Sequence, residues 1–196
     1  MHIQATRVPG RGSIPSSPWC TLDFSRKHSM QISQGQRIPL SNLIQGRTLS
    51  VAIQIKSSPT VDLACFALDA FGKLSDARNL IFYNQRISPC GSLRQVGAQF
   101  SLKLSGLPSS IERLVFTASI DGEGAMGNIR PSTFVIKDRT GEIVATCPFA
   151  GNIFGAEKSI MVADLYRDDG HWHLASNLQG FDEDLTALVR HYRGRC

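Results

Sequence analysis

Two histidines one residue apart, His171 and His173, flank Trp172. On a strand, residues two apart share a face, so the imidazoles could grip a metal together. A zinc site needs at least one more ligand at tetrahedral geometry, and no third partner sits nearby in sequence. The competing reading turns Trp172 inward and leaves the histidines in solvent. Oxygen donors are the richer signal: Asp62, Asp69, Asn84, Asp121 and Glu123 fall at strand ends or in loops. Hard cations such as Ca²⁺ take about six to eight oxygens, several of them charged. The same residue types are also ordinary turn formers, so convergence is a tertiary question. The run Gly122-Glu123-Gly124-Ala125-Met126-Gly127 looks like a phosphate loop, but it lacks the G-x-G-x-x-G spacing and opens no helix. It reads as a mobile loop at one end of the fold. No G-x-S-x-G elbow occurs and no cysteine lies in a catalytic signature, so an enzyme is the least favoured class.

The elements that must position these groups are short and mostly extended. Apolar runs alternate with turn signals, the pattern of an antiparallel two-sheet β-sandwich. Strands are expected at 48–55, 61–68, 79–83, 99–104 and 112–120, with 61–68 central because it is almost wholly apolar. Asp138-Arg139-Thr140-Gly141 and Asp168-Asp169-Gly170 read as the turns of two hairpins. One helix is expected, at 182–193. Three acids crowd its first turn, where the helix dipole favours anions. Leu185, Leu188, Val189 and Tyr192 then form one apolar stripe. The expected fold class is therefore mainly β, with a short C-terminal α-helix lying on the sandwich.

Composition bounds the rest. The chain has 196 residues, 42% of them hydrophobic, enough for one real core. Residues 1–28 are rich in Pro, Gly, Ser and Arg and read as a flexible N-terminal arm, leaving 29–196 as the domain. No apolar run is long enough to span a membrane, and the first residues lack the apolar core of a secretory signal. A cytoplasmic protein is expected. The five cysteines are odd in number and widely spaced, so a disulfide framework is not expected; Cys65 and Cys147 read as small core residues. The net charge of +5 is spread thinly, with its densest cluster at 190–195, and specifies no nucleic-acid partner.

Three segments together resemble the TerD family of tellurium-resistance and stress-response proteins. Val61 to Lys73 is similar to the family strand "DLDASAFLLDxxGK". Leu80 to Gln85 with Ser88 to Ser92 is similar to "FVFYNNxxSPDGS". Glu157 to Trp172 is similar to "ExAMVxGELYRRxGEW", and Gln179-Gly180-Phe181 to the "GQGF" before the last helix. The resemblance implies a β-sandwich with Ca²⁺ bound at its tip, carried over here to Asp62 and Asn84, with Asp121 as a loop neighbour. This chain departs from the pattern: Thr60 stands for the first Asp, Ala64 for the Ser, Cys90 for the Asp of "SPDG", and the acidic insert after Val96 is absent. The resemblance is thus to a divergent, TerA-like member. It implies a non-enzymatic interaction module of a tellurium-resistance or general stress-response system. Its partners would be proteins of a stress-response assembly, including a membrane-linked one. No cofactor is implied beyond weak Ca²⁺ at a degenerate site. The alternative is a calcium-responsive binding switch of the same family.

Overall fold

A computed structural model describes residues 29–193, so the expected arm at 1–28 and the extreme C-terminus lie outside the described residues. Twelve strands follow in order: β1 (Met30–Gln31), β2 (Arg37–Pro39), β3 (Thr48–Lys56), β4 (Val61–Leu68), β5 (Leu80–Ile81), β6 (Leu93–Val96), β7 (Gln99–Lys103), β8 (Arg113–Ile120), β9 (Arg130–Asp138), β10 (Ile143–Phe149), β11 (Ser159–Asp168) and β12 (His171–Phe181). The helix α1 (Leu185–Arg193) closes the described chain. One sheet has the order β1-β10-β9-β3-β7-β6, the other β2-β12-β11-β8-β4-β5. Every pairing is antiparallel except β1 with β10. The fold class is the mainly β, two-sheet sandwich with a short C-terminal helix that the periodicity implies.

The main core fills the space between the sheets, with Phe116 meeting Phe100 edge-to-face and Phe134 at a tilt in its middle. A second apolar cluster lies on the outer face of the second sheet, where Leu188 and Tyr192 of α1 cover Ala64, Phe66, Leu68 and Val115. This cover corrects one expectation. β4 is nearly all apolar, yet only the two-residue β5 lies outside it in the sheet. Its odd residues Cys65 and Ala67 face the main core and its even residues face the helix. The two-sided apolarity reports the helix, not a central position.

Other expectations shift in detail. The strand expected at 79–83 shrinks to Leu80–Ile81, preceded by a 3₁₀ turn that Asp76 caps by accepting the Arg78 N–H. The helix begins three residues later than the acid cluster suggests. Asp184 caps it, its carboxylate accepting the Ala187 N–H at 2.9 Å. Leu188 and Tyr192 are buried, while Leu185 and Val189 are half-buried and Arg190 is exposed. Both expected hairpins form. The second turns on Asp169 and Gly170 with φ of 45° and 75°, the primed turn that matches strand twist.

Candidate functional site

The acids named from sequence divide between the two ends of the sandwich. Asp69 follows the far end of β4, about 23 Å of extended chain from Asp62. Its carboxylate accepts the N–H groups of Phe71 and Lys73 at 2.9 Å and the Ser75 hydroxyl. These bonds, Ser75 first, hold its pKa below the ordinary value. Asp69 is a turn-forming residue and takes no part in a site with Asp62.

Asp62 and Asp121 do come together. Asp62 pairs with Ser119 across β4 and β8, so their side chains share the helix-bearing face. Asp121 follows two residues on, its N–H donating to Thr60 O at 3.1 Å. Both acids line a cavity of about 380 Å³ beside the N-terminus of α1. Leu80, Phe82 and Tyr83 make one wall, and Asp184, Leu185 and Val189 another. Burial, and then repulsion from Asp121, push the Asp62 carboxyl above its ordinary pKa. The Ser119 hydroxyl is 2% exposed and has no hydrogen-bond partner among the described residues. Asn84 is exposed on the turn that supplies Tyr83 and does not line the cavity. Glu123 is exposed in the following loop.

The glycine run proves to have the wrong polarity for a phosphate. Lys158 Nζ donates to the carbonyls of Gly122 and Gly124 at 3.1 and 2.7 Å, so the loop presents oxygens to a cation. Its second half is docked rather than a free loop. Met126 is fully buried, and Gly127 lies so close to the Gly155 carbonyl that a Cβ would collide with it. His171 is exposed and His173 stacks on Tyr166, with 5.5 Å between ring centroids. Each ring sits against a backbone carbonyl through Nδ1. Trp172 is half-buried against the main core. Among the described residues no three His, Cys, Asp or Glu side chains converge to hold a metal ion.

A second polar cluster escaped the sequence reading. Asp164 lies mid-strand in β11 and is 2% exposed, yet it faces away from the main core. Arg113 Nε meets its Oδ2 at 2.8 Å, and Asn177 Nδ2 donates to its Oδ1 at 2.8 Å. Burial raises its pKa against the opposing pull of Arg113, Asn177 and Arg37. An acid inside the apolar stretch 160–165 of β11 was the available signal.

The described residues contain no helix long and apolar enough to cross a membrane. The TerD domain model matches residues 28–192. General stress protein 16U of Bacillus subtilis (strain 168) is 27% identical over 67% of this chain and 76% of its own length. Tellurium resistance protein TerD of Serratia marcescens is 22% identical over 84% of this chain and 97% of its own. The crystal structure of a homologue of telluride resistance protein (TerD) from Streptomyces coelicolor A3(2) superposes with a TM-score of 0.59. It covers 78% of this chain and 100% of that one at 16% identity, a likeness of fold.

Proposed function

We propose, because this chain belongs to the TerD domain family, that it serves as a non-enzymatic interaction module of a tellurium-resistance or general stress-response system. The stress-response role is supported by the family and by the names of the relatives, a general stress protein and a tellurium resistance protein. Its partners on this reading are proteins of a stress-response assembly, one of them membrane-linked, met in the cytoplasm. Loss of the gene should lower survival under tellurite or a comparable chemical stress, and unchanged survival would overturn the role.

The reading of the tip cavity rests on one observation: Asp62 and Asp121 face the same space and repel each other. A cation relieves that repulsion. Calcium would find two carboxylates there, with Asn84 on the adjoining turn and water left to complete its shell. Such a site binds on the order of 10⁻³ M, the weak end of calcium modules. At the low free calcium of a cytosol it stays empty, and the protein meets its partner without the ion. Melting chelator-treated protein with and without about 1 mM Ca²⁺ tests this. A dissociation constant near that concentration adds about 0.4 kcal/mol, a rise of about 1–2 °C for a chain of this size. A rise well beyond that, lost in Asp62→Asn, would favour the calcium-responsive switch instead.

A further inference from the structure

The Asp164 cluster is built in a way its neighbours do not require. Across β8, β11 and β12, the residues Arg113, Tyr166 and His173 form one row on the outer face. Two residues along, Asp164, Ala175 and Arg37 form the next, on β11, β12 and β2. The backbones of Arg37 and Arg113 stand three strand spacings apart across the sheet, about 14 Å, and one row, about 7 Å, apart along it, and Asp164 lies between them. A cleft of about 220 Å³ opens over the carboxylate, lined by both arginines, Tyr166, Asn177 and Gln179.

Two features distinguish this cleft from an ordinary surface ion pair. Arg113 comes closest to Asp164 through its Nε and lies over the Tyr166 ring at 5.8 Å, with its side chain half exposed. Its terminal amino groups, and the whole Arg37 guanidinium, make no hydrogen bond among the described residues. The backbone is also distorted here. A bulge breaks the β11–β12 register between Met161 and Ala163 and puts Leu178, a buried leucine, at φ 47°. Non-glycine residues at positive φ are strained, and they persist where the surroundings over-determine them, often at ligand sites. The bulge aims Asn177 at Asp164, and Gln34 holds it by donating to the Leu178 carbonyl at 3.1 Å.

We propose that this cleft is a binding site for a phosphate-class oxyanion, held between the Arg37 and Arg113 guanidiniums, with Asp164 orienting Arg113 as a positioning residue. A planar carboxylate is satisfied by one guanidinium fork. Two forks approaching from opposite sides fit a tetrahedral anion with oxygens on both. Asp164 cancels one of the two positive charges, so the site keeps a net attraction for an anion without becoming a broad basic patch. The assignment is independent of the tip cavity and of the family's function.

NMR titration of the ¹⁵N-labelled full chain with inorganic phosphate or phenyl phosphate, at low ionic strength and neutral pH, tests it. Saturable shifts should appear at the Asn177 side-chain amide and around Tyr166. Tighter binding of phenyl phosphate would assign a monoester as the ligand, and tighter inorganic phosphate the free ion. Arg37→Gln, on an exposed edge strand, should weaken binding by about tenfold. Asp164→Asn should weaken it similarly although it makes the site more positive, because Arg113 loses its orientation. No saturable shift up to about 20 mM phosphate overturns the proposal. So does unchanged affinity in Arg37→Gln. Tighter binding in Asp164→Asn reduces the site to charge alone and overturns the positioning role. Should Asp164→Asn fail to fold, Arg37→Gln decides.

Discussion

Asp62 and Asp164 both lie on the outer face of the same sheet, and burial raises the pKa of both. They differ in what the fold brings next. Asp62 meets another carboxylate, Asp121, across an open cavity, beside the Ser119 hydroxyl, which has no partner among the described residues. Asp164 meets Arg113 and Asn177, each at 2.8 Å. One region is short of a cation and the other has a guanidinium left over. Residue type does not decide which chemistry an acid can do on a sheet. Its row partners decide it, and those are set by register.

α1 covers the sheet between these regions, and its loss should have the largest effect. Leu188 is 1% exposed and packs on Ala64, Phe66 and Val115. Leu188→Ala should cost about 2–4 kcal/mol through lost burial and a cavity, read by chemical denaturation. The tip cavity, which uses α1 as a wall, should be disturbed more than the Asp164 cleft. An equal response of Asp62 and Asp164 in a carboxyl NMR titration would dissolve the distinction.

Removing the two partners of the ion pair should be unequal. Arg113→Ala leaves a buried carboxylate with Asn177 and the more weakly acting Arg37 to hold it, a loss of about 1–3 kcal/mol at neutral pH. The folded-state pKa of Asp164 then rises further above its unfolded value. Its ionised form opposes folding, and the loss should shrink as pH falls and the carboxyl protonates. Asp164→Asn leaves a half-exposed guanidinium that can reach water, so stability should stay within about 1 kcal/mol of the parent. Equal losses for the two would mean that the pair acts only as a structural bridge.

The smallest effect belongs to the tip. Asp62 has a folded pKa raised above its unfolded value by burial and by Asp121, so its ionised form costs stability at neutral pH. Asp62→Asn should therefore stabilise the ion-free protein slightly. Solvent screening limits the gain to about a few tenths of a kcal/mol. The gain should vanish as pH falls below the unfolded carboxyl value near about 3.9. A loss of stability in Asp62→Asn at pH 7 would show that the carboxylate is already satisfied.

Local pattern alone carried much of the fold. The alternation in Gln99–Lys103, the turn residues of Asp169-Gly170 and the stripe through Leu188 and Tyr192 each express a period or a φ requirement that neighbours in sequence decide. The resemblance then identified the family from three motifs. Sequence misread β4, because an apolar run does not say whether a second sheet or a helix covers its outer face. It also grouped Asp69 with Asp62, since strand ends look alike until one knows which end of the sandwich they reach. The candidate sites were the least legible part. The tip draws on Asp62, Ser119, Asp121 and Asp184, the cleft on Arg37, Arg113, Asp164 and Asn177. Each set spans more than a hundred residues of chain. Only strand register and the bulge between β11 and β12 bring these side chains onto one face, and both are fixed by long-range pairing across the sheet, which no local window contains.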